Sequence, residues 1–420
     1  MARGTDPDPA PGSIRKDPWH RTTAEKRVSD MKILIVTGSL YPQPSNNAII
    51  ISKIIPYLSQ EHTVHLLGSV SADFAGARPE TCFGVPTHWF DTNKPGVLRR
   101  ALNRLKDKLL DPNGYSDASA SDTFCRRIRE LDQEFHYDAV VSTLEPFSGA
   151  LAVSRLPKTM HRVVYLMDPP TFLVSGLQDT SFREKNMRRV VENSEAVLTT
   201  EAIREVLLDA YPDQRDKLHT VGFPLIRPTQ ALNPEHPIQI DPGKINLLYC
   251  GWLYGGMRSP VYFLNLLSAL DDRFCVYFIG KKCELLFERY QIHTAAKVVN
   301  LPQQDYDTAM QAMLDADVLI NIGNSVPVHM PSKLIEYFNA GKPIVNVAKL
   351  DNCPSLHFTR RYPRCLDLSE GEDPKSAAEK LLRFCLEAKT AEPISYDETA
   401  RIFPECTPQY IAELLARLCT

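Results

Sequence analysis

Residues 31–38 read MKILIVTG, an unbroken apolar run. Such a run marks a strand buried on both faces of a parallel sheet, not one with a wet face. Parallel neighbours need long crossovers, so this strand commits the chain to helices layered over a sheet. The following residues supply them: a loop carrying Pro42 and Pro44, a helical apolar spacing over 48–60, and a second strand over 62–68. Strands are further expected over 135–143, 161–168, 196–200 and 217–224, and helices over 151–156, 182–193 and 201–210.

The pattern then breaks at a stretch bearing Pro228, Pro234, Pro237 and Pro242, with no apolar periodicity. Beyond it the alternation restarts. Strands are expected over 245–251, 273–280, 298–300, 317–323 and 342–347, and helices over 260–270, 305–315, 332–341, 377–388 and 408–418. A chain of 420 residues exceeds one ordinary core. The expected organisation is a disordered leader over 1–30, rich in Pro, Asp and Arg, and an N-terminal Rossmann-like domain over 31–225. A linker follows over 226–242, then a C-terminal Rossmann-like domain over 243–400. A final helical segment, 401–420, can cross back to the first domain. The fold class is α/β, two doubly wound sheets facing a central cleft.

Composition narrows the function. A formal net charge of -3 argues against a general nucleic-acid binder. The ten cysteines include no Cys-x-x-Cys pair and no zinc-finger spacing, so buried free thiols are expected. No apolar stretch is long enough to span a bilayer, and residues 1–20 contain no apolar core of a secretory signal. A cytoplasmic location is expected.

The segment 331–345, PSKLIEYFNAGKPIV, concentrates the chemistry. Pro331 suits the turn into a helix, Ser332 can cap its first N–H groups, and Gly341 suits its C-terminal end. A helix start offers free N–H groups and a positive dipole end to a phosphate, and Lys333 adds a cation there. Glu336, one turn in, can accept two ribose hydroxyls. The same residues also suit a plain surface helix.

This segment resembles the signature helix of GT-B glycosyltransferases in family 4, the large retaining family of bacterial polysaccharide and lipid-sugar transferases. The first strand and loop (31–47), the opening of the second domain (245–270) and DADVLINIGNS (315–325) are similar to the family's corresponding segments. The resemblance implies a nucleotide-sugar donor, a UDP- or GDP-sugar, and an acceptor that is a glycan or lipid-linked. Glu336 would hold the donor ribose, with Pro331, Ser332 and Gly251 also lining the nucleotide. The family's usual Glu-x7-Glu is broken here: Val328 stands where the first Glu belongs, and Asn324, Ser325 or His329 can supply polar contacts instead. The family's basic pair after the first donor-domain strand is also incomplete. Trp252 replaces the first member, and Arg258 falls on the second, where a guanidinium fork would grip a diphosphate. Lys281 and Lys282 are a second basic pair, either a further diphosphate contact or a solvated turn. Catalysis would rest on Arg258 and Lys333 stabilising the leaving diphosphate, with Asp168 falling near where relatives place a His or Asp close to the reacting centre. No metal is expected.

In the first domain, Asn46 and Asn47 occupy the place of the paired glycines frequent in relatives. Asp168 and Glu145 stand at the carboxyl ends of expected strands, either facing the cleft or forming turns before proline. Residues 94–110 place Lys94, Arg99, Arg100, Arg104, Lys106 and Lys108 beside a stripe of Leu98, Leu102, Leu105 and Leu109. Such a helix suits either the core or peripheral contact with the inner membrane face. The alternatives on the same scaffold are a nucleotide-sugar epimerase or hydrolase, or a non-catalytic partner subunit.

Overall fold

The protein is described by a computed structural model over residues 30–38, 40, 45–71, 76–92, 102, 118–144, 147–168, 181–228, 231–253 and 256–420. Glu145 and, except for the exposed Leu102, the basic segment 94–110 lie outside the described residues. Among the described residues, no helix is long and apolar enough to cross a membrane.

The N-terminal sheet contains β1 (Lys32–Val36), β2 (Thr63–Ser71), β3 (Thr81–Cys82), β4 (Val85–Thr92), β5 (Ala139–Thr143), β6 (His161–Leu166), β7 (Ala196–Thr199) and β8 (Leu218–Thr220). Its order is β3-β4-β2-β1-β5-β6-β7-β8, parallel except for the β3–β4 pair. Helices α1 (Asn46–Leu58), α2 (Ala118–Phe135), α3 (Phe147–Val153), α4 (Ser181–Asn193) and α5 (Glu201–Ala210) cover it. The unbroken apolar character of β1 is explained by its two covers. Ile33 and Ile35 face the core shared with α1, while Leu34 and Val36 face Phe124, Ile128 and Leu131 of α2. Each fully buried Ile or Leu stabilises by about 1.5–3 kcal/mol.

The C-terminal sheet contains β9 (Ile245–Cys250), β10 (Phe274–Ile279), β11 (Lys297–Leu301), β12 (Val318–Ile322), β13 (Ile344–Ala348) and β14 (Cys365–Ser369). It is wholly parallel, in the order β11-β10-β9-β12-β13-β14. Its helices are α6 (Val261–Leu266), α7 (Leu286–Arg289), α8 (Tyr306–Asp315), α9 (Lys333–Asn339), α10 (Ser355–Thr359) and α11 (Pro374–Ala388). Two more, α12 (Tyr396–Ile402) and α13 (Pro408–Leu418), end the chain. In each sheet the strand order reverses at one place, beside β1 and beside β9. Ligands of doubly wound sheets bind outside the carboxyl ends of strands at such points.

The strand expected over 135–143 begins only at Ala139. Phe135 closes α2, and His136 turns out of the helix with a left-handed φ of 54°. The expected helix over 260–270 shortens to α6 plus a 3-10 turn at Leu267–Ala269.

Two crossings join the domains and bind each other. The chain leaves the first domain at Val221–Arg227 and returns at Phe403–Thr407. The Gly222 N–H donates to the Glu405 carbonyl (2.8 Å), and the Ile226 N–H to that of Cys406 (3.1 Å). Phe403 stacks on Phe338 of α9 at 4.7 Å. Ile411, Ala412 and Leu415 of α13 join Ile51, Ile54 and Ile55 of α1 in one hydrophobic cluster that reaches both domains.

At the other edge of the N-terminal sheet, the His65 and His88 rings lie within 3.1 Å of each other, and Tyr137 is 2.8 Å from His65. Desolvation lowers the pKa of both histidines from the ordinary 6.5. Lys32 lowers His65 further, and His65 and Arg127 lower His88 further. The unfolded chain therefore binds more protons than the folded one in the window just below pH 6.5. Stability is complete above that value and is lost as the pH falls through it. The thermal midpoint should drop as pH is lowered below 6.5, and by less in His88→Gln. A midpoint equally pH-dependent in that variant would show that the pair is not responsible.

Candidate functional site

The C-terminal switch point is built around the end of β9. Strand β12 pairs with β9 only at Leu247 and Leu248, so Cys250 has no ladder partner on that side. Tyr337 of α9 takes the place of one. Its hydroxyl accepts from the Cys250 N–H (2.8 Å) and donates to the Cys250 carbonyl (3.1 Å). This buried staple fixes the head of α9 beside Gly251. The far end of α9 is closed by Gly341, whose φ of 70° and close approach to the Ile394 carbonyl (2.2 Å from a would-be Cβ) require glycine.

At the head of α9 the Lys333 ammonium lies 2.5 Å from a Glu336 carboxylate oxygen. Burial opposes the charge on Lys333, but Glu336 more than offsets it and holds the pKa above the usual lysine value. Lys333 is therefore charged, and the pair is part-buried. Ser332 does not cap this helix. It is already in the right-handed helical region and makes no side-chain capping bond, because the helix is entered through a tight turn: Leu334 N–H donates to Pro331 O (3.1 Å) and Ile335 N–H to Ser332 O (3.0 Å).

Arg258, Asn324, His329 and Asp168 form a second chain of contacts. The Arg258 Nε donates to Asn324 Oδ1 (2.9 Å), and an Arg258 Nη atom reaches the Trp252 carbonyl (3.5 Å). The buried Asn324 amide nitrogen contacts both His329 Nδ1 (2.7 Å) and the His329 carbonyl (2.8 Å). Because that amide nitrogen is a donor, His329 Nδ1 accepts and the ring proton sits on Nε2. Nε2 faces the Asp168 carboxylate of the N-terminal domain at 4.0 Å, across the cleft. Desolvation lowers the His329 pKa, with Asp168 opposing and Arg258 assisting, so the ring stays neutral near neutral pH. Desolvation raises the pKa of Asp168, against the pull of His329. Ser325 is held apart from this chain: its N–H donates to the Met257 carbonyl (2.8 Å).

Val328 does not merely lack a carboxylate. It is buried in the cluster of Leu151, Val164, Leu166 and Met187 from the N-terminal domain, and Val326 packs on the same cluster. The loop before α9 therefore bridges the two domains through apolar contact.

In the N-terminal domain the first helix starts earlier than expected, at Asn46, because Ser45 caps it by accepting from the Ala48 N–H (3.3 Å). Asn46 is exposed in the first turn. Asn47 is buried, and its side-chain nitrogen has no hydrogen-bond partner among the described residues.

Three groups at this end of the cleft escaped sequence reasoning. Lys53 of α1 lies 6.0 Å from the ring centre of Tyr306, and Arg227 donates to the Tyr306 hydroxyl (3.2 Å). Desolvation and Arg227 lower the Lys53 pKa, and Glu336 opposes them. These residues are far apart in the chain and carry no local pattern. Tyr337 had a readable signal: it follows Glu336 on the buried face of the same helix. Among the described residues, no group of three or more His, Cys, Asp or Glu side chains is arranged to hold a metal.

The bridging loop makes a direct prediction. Val328→Asp places a carboxylate in an apolar cluster, which costs several kcal/mol, and should lower the thermal midpoint markedly. Val328→Ala should cost on the order of 1 kcal/mol. Unchanged midpoints in both variants would contradict the contact.

No family profile and no curated protein matches the sequence. Solved structures do match the fold. A glycosyltransferase from Rickettsia africae ESF-5 superposes with a TM-score of 0.57 at 11% identity, over 93% of this chain and 98% of that one. A trehalose-6-phosphate protein from E. coli bound with UDP-2-fluoro glucose gives 0.57 at 11%, over 93% and 99%. The lipopolysaccharide outer core galactosyltransferase WaaB, in its apo form, gives 0.54 at 12%, over 92% and 99%. At such identities the likeness is one of fold: this chain has the GT-B architecture, two doubly wound parallel-sheet domains facing a cleft.

Proposed function

We propose that the protein is a glycosyltransferase of the family-4 type. It takes a sugar from a UDP- or GDP-sugar bound in the C-terminal domain and gives it to a glycan or lipid-linked acceptor at the N-terminal domain. Transfer proceeds with retention and without a metal, in the building of a bacterial polysaccharide. The enzyme works in the cytoplasm, with residues 94–110 touching the inner membrane face. The observation that carries this reading is the close Lys333–Glu336 contact, held by the Tyr337 staple at the carboxyl end of β9. The E. coli neighbour bound with UDP-2-fluoro glucose supports the donor class.

The residues divide the work. Glu336 accepts the ribose hydroxyls, and Lys333, released toward the ligand, meets the diphosphate. Arg258, oriented by Asn324, adds the second cation. Gly251 leaves room for the donor beside them, and Pro331 and Ser332 border the nucleotide. The acceptor hydroxyl attacks the anomeric carbon while the bond from that carbon to the diphosphate oxygen breaks. The acceptor proton passes to the departing phosphate. Charge develops on the diphosphate, and fixed cations stabilise it there without reorganisation. His329 Nε2–H and Asp168 border the sugar where the domains meet, one donor and one acceptor for a shared hydroxyl. Asn46 and Asn47 lie on the acceptor side.

The test is donor binding and turnover in two variants. Glu336→Gln should weaken nucleotide binding by roughly 10- to 100-fold, as expected for lost charged hydrogen bonds. Arg258→Ala should lower kcat by about 100-fold or more. Unchanged binding and turnover of every accepted donor would overturn the assignment. Donor incubated alone should stay intact; its turnover without acceptor would indicate a hydrolase or epimerase.

A further inference from the structure

We infer that Trp252 is the stacking platform for the donor's nucleobase, with Lys281 and Lys282 as cations that move from its ring to the nucleotide's phosphates. The inference rests on the donor reading above and goes beyond it by giving the base a seat.

The carboxyl ends of β9 and β10 meet unusually closely. Gly280 has a φ of 138°, and a Cβ there would stand 2.0 Å from the Gly251 carbonyl oxygen, so only glycine permits the approach. The contact continues as the Leu253 N–H donates to the Lys281 carbonyl (3.2 Å). Lys282 then adopts a left-handed φ of 63°, which turns the chain back over the end of β9. As a result the Lys281 and Lys282 ammonium groups lie 5.1 Å and 5.7 Å from the centre of the Trp252 indole ring.

Trp252 nevertheless keeps 36% of its surface exposed. An exposed tryptophan at a sheet's switch point, with two cations on its ring and Arg258 bonded to its own carbonyl, has the chemistry of a nucleotide seat. The ring offers a flat apolar face to a base, and the cations lie where phosphates would follow. The two lysines hold the ring by cation–π attraction until a stronger partner, a phosphate, draws them off.

The experiment uses the full chain with Trp19→Phe and Trp89→Phe, which leaves Trp252 as its sole tryptophan, since the sequence has three. UDP, GDP, ADP, dTDP and inorganic pyrophosphate are titrated while indole emission is followed. A nucleoside diphosphate should quench the emission, and pyrophosphate should not. In the otherwise wild-type chain, Trp252→Leu should weaken binding of that nucleotide by roughly 5- to 100-fold, the range for loss of one base–aromatic stack. Trp252→Phe should restore most of it, and pyrophosphate affinity should be the same in all three. The inference is overturned if a nucleotide binds in a Glu336-dependent way with unchanged emission and equal affinity for Trp252→Leu. That outcome leaves the donor reading standing. If none of the nucleoside diphosphates binds, both fall together.

Discussion

The docking of α13 back onto α1 is the constraint on which the rest depends. Two parallel sheets joined by one strand of chain would be free to rotate, and a site shared between them would have no fixed dimensions. Here the outward and return crossings hydrogen-bond to each other, and Ile411 and Leu415 complete the apolar face of α1. A single hydrophobic cluster thus runs from the first domain to the second. It carries α9 with it, since Phe338 on the buried face of α9 stacks on Phe403 at the return crossing. The position of Lys333 and Glu336 relative to the N-terminal domain follows from that packing.

Around α9 the contacts differ in kind. At the hinge side they are apolar and aromatic, around Phe338, Tyr362 and Phe403. At the switch point they are polar and organised by one buried amide: Asn324 serves Arg258 with its oxygen and His329 with its nitrogen. An uncharged amide can serve a donor and an acceptor at once in fixed directions. Position 328 carries a buried valine, and the side chain that faces Asp168 is the next one, His329. The loop therefore joins the domains through Val328 and presents its polar group through the next side chain.

Much of the fold was legible because parallel, doubly covered strands write themselves as apolar runs; β1, β9, β10 and β12 are examples. The helix α2 and the strand β4 were harder. The first is polar on its exposed face and begins after a stretch without periodicity, and the second mixes Pro86, Thr87 and His88 with apolar residues. The site was legible where chemistry is local. Lys333, Glu336 and Gly341 sit within three helical turns, and their roles in the helix follow from spacing. The Asn324 hub could be named but not wired, since its partners arrive from the ends of different strands. Lys53, Arg227 and Tyr306 meet only because the domains close on each other, and no spacing in the chain encodes that. Ser332 shows the opposite failure. Its residue type suits a cap, but the tight turn at Pro331 places it inside the helix and leaves its hydroxyl without that role.

The central claim is that a nucleoside diphosphate is held between the head of α9 and Arg258. A crystal structure of the protein with UDP or GDP tests it most directly. Ribose hydroxyls are expected on the Glu336 carboxylate and diphosphate oxygens on Lys333 and Arg258, with the close Lys333–Glu336 contact lengthened. A nucleotide bound elsewhere while that contact stays intact would contradict it.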